Sequence, residues 1–120
     1  MPQLLFMCPY GADEPERAMV PFIAANVAAA SGQETAVVCT VEGVRLGTRG
    51  AADAITVEAM PPLAQLMTEF IAAGGEVWLC SACATKRGIT EADVIEGARI
   101  VGAAHIVATI ADGAQAVTLT

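Results

Sequence analysis

Positive charge is scarce in this sequence: six Lys and Arg stand against thirteen Asp and Glu, for a net charge of −7. A nucleic-acid surface neutralises phosphates with clustered basic residues. Lys86-Arg87 is the only adjacent basic pair, so nucleic acid is not an expected partner. Long hydrophobic runs are missing too. The most apolar stretches, Ala18–Ala30 and Ile100–Ala111, are short or interrupted by Pro21, Asn26 and His105, whereas a spanning helix needs about 20 apolar residues. No membrane association is expected. The N-terminus has no basic n-region, and Asp13, Glu14 and Glu16 follow soon after it. A secretory leader is therefore not expected, and the cytoplasm is the expected compartment. There is no GxGxxG, no Walker loop, no internal repeat and no general acid/base pair, which leaves nucleotide-cofactor and phosphoryl chemistry without a candidate site.

What is present in excess is apolar surface. The hydrophobic fraction is 55% and the mean hydropathy is +0.57. At 120 residues one domain is expected, large enough for a core but with too much surface to hide so many apolar side chains. With a membrane set aside, homo-oligomerisation is the expected outlet.

The apolar segments alternate in kind along the chain. Leu4–Cys8 reads as a buried strand closed by Pro9-Tyr10-Gly11. Asp13-Glu14-Pro15-Glu16 reads as a helix start with Asp13 as the cap, the helix running to Ala30 with a kink at Pro21. Thr35–Val41 is a second strand ended by Glu42-Gly43. Residues 45–62 are irregular. Pro62–Ala73 carries a 3.6-residue apolar stripe and is a second helix. Glu76–Cys80 is a third strand, followed by a tight helical segment, Ser81–Arg87, closed by Gly88. Thr90-Glu91-Ala92-Asp93 resembles a capping box. A short run at Ala98–Val101, a helix over about Ala104–Ala111 and a strand at Ala116–Leu119 complete the chain. Strands alternating with helices predict crossover connections and a mainly parallel sheet of about five strands, covered on both faces.

Four cysteines, at positions 8, 39, 80 and 83, are the chemistry-bearing residues. In open α/β sheets ligands bind beyond the carboxyl ends of the strands, and all four fall near such ends. Cys80-Ser81-Ala82-Cys83 is the most informative stretch. A turn starting at Ser81 aims free N–H groups at the thiol, and Lys86 and Arg87 lie three and four residues after Cys83. Both features favour thiolate. Cys80 and Cys83 are thus the candidate catalytic residues, with Ser81, Lys86 and Arg87 supporting the thiolate. Cys8, Tyr10, Gly11 and Gly43, in the loops after the first two strands, are candidates for an adjoining pocket. Cys39, inside an apolar run, reads as packing, and His105 as an interface or capping residue. A zinc site needs a second close pair of ligands, which Cys8 and Cys39 do not supply in sequence, so no metal and no cofactor is expected.

Gly11 to Ala18, Pro21-Phe22, Glu42-Gly43-Val44, Met60-Pro61-Pro62-Leu63, Cys80 to Ile89 and Ile95 to Ala98 together resemble the motifs of the DsrE/DsrF-like family, in order and over essentially the whole chain. The resemblance implies a compact three-layer α/β/α fold and a cytoplasmic trimer or hexamer. It further implies a sulfur-relay role in which one cysteine accepts a persulfide sulfur from a donor and passes it to an acceptor. That cysteine stands eight residues before the glycine of an Arg-Gly pair, and here Gly88 follows Cys80 by eight. Cys83 departs from the relay pattern and leaves a disulfide step open. Two other uses of the same residues remain: a non-catalytic assembly or binding module with the cysteines as packing, and a thiol-redox protein using Cys80 and Cys83.

Overall fold

The computed structural model describes residues 1–119. Its elements, in chain order, are β1 (Leu4–Cys8), α1 (Pro15–Ala30), β2 (Thr35–Cys39), 3-10 turns at Val41–Gly47 and Ala52–Ala54, α2 (Leu63–Ala72), β3 (Glu76–Cys80), α3 (Ser81–Lys86), a 3-10 turn at Glu91–Asp93, β4 (Ala98–Val101), α4 (Ala103–Ala111) and β5 (Gln115–Thr118). The strands form one sheet in the order β4-β3-β2-β1-β5. Every pairing is parallel, as crossover connections require. The fold is α/β, as expected.

Strand alternation splits the core into two layers. Phe6, Val37, Val77 and Leu79 face α1 and α2, where Phe22 and Phe70 meet edge to face at 6.2 Å between ring centroids. Leu5, Ala36, Val38 and Trp78 face the other way, under α4, whose His105 ring lies 4.6 Å from Trp78. Both sets are buried because parallel sheets of this kind are covered on both faces.

Two local readings are corrected and a third is borne out. Asp13 does not cap α1. The cap position is Glu14, which makes no side-chain capping bond, because the Asp13 carboxylate accepts the Gly11 N–H at 2.8 Å instead. The second strand ends at Cys39 rather than Val41, since Val41 takes a left-handed φ of 51°. The capping box at Thr90 and Asp93 is formed, but it opens only a 3-10 turn. α1 runs as one helix through Pro21, whose side chain is buried.

Candidate functional site

The carboxyl edge of the sheet gathers the cysteines. Cys8, Cys39 and Cys80 are the last residues of β1, β2 and β3, and Cys83 lies in the first turn of α3. Burial divides them into two pairs. Cys8 and Cys39 are partners in the parallel register and both are fully buried. The Cys8 thiol lies 3.5 Å from the Tyr10 carbonyl and 3.7 Å from that of Ala18. The Cys39 thiol stands beside that of Cys8. Hydrogen bonding with Cys8, together with complete burial, holds the Cys39 pKa well above the ordinary thiol value. The same interaction draws the Cys8 pKa down, against the effect of burial.

The loops around this pair are tightly closed. A Cβ on Gly43 would stand 2.1 Å from the Cys8 carbonyl oxygen, and one on Gly11 would stand 2.7 Å from that of Glu42. Only glycine allows such approach of backbone to backbone. Tyr10 is half-buried, with the Arg17 guanidinium 5.7 Å above its ring. Cys8, Gly11 and Gly43 therefore seal this part of the edge rather than line an open space.

Cys80 and Cys83 are half-buried free thiols. Cys80 occupies the position before the first turn of α3, and its resting thiol makes no capping hydrogen bond. Its pKa is nevertheless lowered. Partial burial acts against the thiolate, but the Cys83 N–H, the Cys83 thiol and the Ala82 N–H outweigh it. A thiolate in this place gains donors that the neutral thiol does not use.

The two cations expected to assist sit differently. Lys86 is exposed and is not among the causes of the shift at Cys80. Arg87 is turned inward with only 10% of its side chain exposed, and its Nε donates to Glu42 Oε1 at 3.0 Å. Arg87 Nη1 also donates to the Cys83 carbonyl at 3.2 Å. Ser81 is half-buried and faces Gly102, the residue before α4, where an added Cβ would stand 3.9 Å from its Oγ.

Glu42 is the participant that sequence reasoning missed. It accepts from both Arg87 and Arg45, the latter at 2.8 Å, and these bonds, Arg45 first, lower its pKa. Nothing local in the sequence links positions 42 and 87.

Two cavities lie elsewhere. One of about 680 Å³ is walled by Leu46, Met67, Ile71 and Ile95 with Asp53 and Glu96 at its lining. A second of about 410 Å³ is lined by Arg45, Arg49 and Asp93, among others. No cysteine lines either of these two. Among the described residues no three His, Cys, Asp or Glu side chains converge as a metal site, and no helix is long and apolar enough to cross a membrane.

Known proteins agree with this architecture. The ychN protein of E. coli superposes with a TM-score of 0.80 at 17% identity, covering 99% of this chain and all of that one, 100%. MTH1491 of Methanobacterium thermoautotrophicum gives 0.77 at 19% identity, covering 97% of each. At these identities the likeness concerns the fold. In sequence, MK0008 of Methanopyrus kandleri is 33% identical over 92 residues, 77% of this chain and 70% of that protein. MJ0760 of Methanocaldococcus jannaschii is 29% identical over 93 residues, which is 78% of this chain but only 34% of that longer protein. The sequence profile of the DsrE/DsrF-like family matches residues 3–119, nearly the full length. The chain belongs to the DsrE/DsrF-like family.

Proposed function

We propose that the protein is a sulfur carrier of the sulfurtransferase type, loading a persulfide on Cys80. The observation that carries this reading is the Cys80 sulfur itself: half-buried at the end of β3, with a lowered pKa because the amides of Cys83 and Ala82 favour its thiolate. Membership of a family with a sulfur-relay-related role supports it. The Cys80 thiolate attacks the outer sulfur of a donor persulfide, R–S–SH. The new S–S bond forms, the donor's S–S bond breaks, and the donor leaves as R–S⁻. An acceptor thiolate then removes the outer sulfur by the same displacement and restores the Cys80 thiolate.

Cys83 supplies a second route. Its thiolate attacks the inner sulfur of the Cys80 persulfide, expelling HS⁻ and leaving a Cys80–Cys83 disulfide. Two electrons from an external dithiol then return both cysteines to thiols. The same pair is what a plain thiol-redox protein would use, so that reading is retained beside the first. Incubation with a persulfide donor separates them. Under the carrier reading Cys80 gains one sulfur atom by mass spectrometry and Cys80→Ser gains none. A protein that forms only the disulfide and never carries the extra sulfur is a redox protein instead.

The working form is proposed to be a cytoplasmic homo-oligomer, a trimer or hexamer. Apolar side chains open to solvent on opposite sides of the sheet support this: Val27 on α1 is 65% exposed and Val107 on α4 63%. Partners beyond itself are a sulfur donor and acceptor; no nucleic acid, membrane, metal or cofactor is part of the proposal.

A further inference from the structure

The larger cavity, of about 680 Å³, falls within the size range of small-molecule sites, about 300–1,000 Å³. One wall is a stripe of α2: Ala64, Met67, Thr68, Ile71 and Ala72 recur at helical spacing along one side of it. A second wall is residues 95–97, and it is pinned at both ends. The Ile95 N–H donates to the Gly47 carbonyl at 2.8 Å, and the Val77 N–H donates to the Gly97 carbonyl at 3.3 Å. Gly97 takes a φ of +92°, and a Cβ there would stand 2.6 Å from Ile71 Cγ2, so the segment lies this close to α2 only as glycine. The third side is Leu46 with residues 48–53, whose 3-10 turn at Ala52–Ala54 leads into the buried Ile55. The cavity is preformed on hydrogen-bonded elements, which lowers the ordering cost of binding.

The lining chemistry selects the ligand. Its charged residues are Asp53 and Glu96, and it contains no Lys, Arg or His. Both carboxylates are exposed, and neither belongs to an ion pair among the described residues. The two hydroxyls are already engaged: Thr48 Oγ1 donates to the Arg45 carbonyl at 2.6 Å and Thr68 Oγ1 to the Ala64 carbonyl at 2.9 Å, so neither offers its hydrogen to an anion. The neighbouring cavity shares Thr48, but its Arg45 is paired with Glu42 and its Arg49 donates to the Ala92 and Val94 carbonyls. With a net charge of −7 on the whole chain, an anionic ligand is repelled and a cationic one attracted. The exposed apolar side chains that favour subunit contact, Val27, Val107 and Ile110 among them, lie on α1 and α4, and none lines this cavity. We propose that the cavity binds a small molecule with an apolar body and a protonated amine, the body against Met67, Ile71 and Ile95 and its charge matched by Asp53 and Glu96. This site is separate from Cys80 and stands whether or not Cys80 carries sulfur.

The test is a titration of the full chain with hexylamine, hexanol and hexanoate, which share an apolar tail and differ in charge at neutral pH. Binding is read from the methyl NMR signals of Met67, Ile71 and Ile95, all in the cavity wall. Hexylamine is expected to bind tightest, hexanol roughly 3–10-fold more weakly and hexanoate weakest. Asp53→Asn combined with Glu96→Gln should bring hexylamine down to the affinity of hexanol and leave hexanol unchanged. Thr68→Trp, at an exposed position of α2, should fill the cavity and remove binding of all three. Equal affinity for hexylamine and hexanoate overturns the inference, as does an unchanged hexylamine affinity in the double variant or a set of wall signals that none of the probes moves. Light scattering identifies the alternative occupant: a lower mass for Thr68→Trp, with no probe bound by the wild type, overturns the inference and assigns the cavity to a second copy of the chain. Should Thr68→Trp fail to fold, the double variant alone decides.

Discussion

The Cys39 thiol is fully buried beside Cys8, and its raised pKa bears on stability. Above the ordinary thiol value of 9.0 the unfolded chain releases this proton while the folded chain keeps it. The folded state then binds more protons, so stability falls as pH rises, by up to about 1.4 kcal/mol per pH unit for one proton. Urea melts at pH 7, 9 and 10 should display that loss. Cys39→Ala should flatten the alkaline slope while costing about 1–3 kcal/mol at pH 7; an unchanged slope would assign the alkaline loss to a group other than Cys39. Cys80 has the opposite sign. Its lowered pKa adds stability that is present above the ordinary value and is lost as pH falls through the folded value. The place of Cys80, at a strand's end before a tight turn, was legible in the sequence. The pairing of Cys8 with Cys39 was not, because it depends on the register between two strands separated by a whole helix.

At the scale of elements, the turn after β2 carries the most constraint per residue. Gly43→Ala places a methyl group 2.1 Å from the Cys8 carbonyl oxygen, a backbone atom that cannot yield. A loss of more than about 3 kcal/mol, or failure to fold, is the expected result, and a thermal melt within a few degrees of wild type would refute it. Val41→Gly works the other way. An exposed non-glycine residue usually loses about 0.5–1 kcal/mol on becoming glycine, but here left-handed strain is released. The expected outcome is a neutral to slightly higher melting temperature; a drop of more than about 1 kcal/mol in unfolding free energy would mean that Val41 is not strained. The strands and main helices were readable from apolar runs bounded by Gly, Pro and acidic residues. This turn was not, for a β-branched residue is the least expected occupant of φ near +51°. The Glu42–Arg87 pair spans 45 positions, and no local pattern records it. Asp13 illustrates a competition that sequence cannot rank, since its carboxylate can serve either the helix start or the Gly11 turn.

For the whole molecule, hydrophobic excess and layer geometry point to the same outcome. α4 has the composition of a core helix, yet Thr109 is its one buried residue, and Val107 and Ile110 are 63% and 40% exposed. Burying such side chains in a subunit contact contributes about 25 cal/mol per Å² of apolar area. Light scattering should give the mass of a trimer or hexamer, and Val107→Glu with Ile110→Glu should reduce it. A monomer mass for the wild type would leave that apolar face unexplained.

The central claim is that Cys80 is the reactive, sulfur-accepting thiol, and one experiment addresses it most directly. The folded protein is treated with a persulfide donor, then alkylated at several pH values, and the four cysteine peptides are compared by mass spectrometry. Cys80 should label fastest near neutral pH and should alone carry the added sulfur, with Cys83→Ser prolonging the life of that persulfide. Equal labelling of Cys80 and Cys39, with no sulfur gained at Cys80, would contradict the account and leave the family fold as an assembly or binding module.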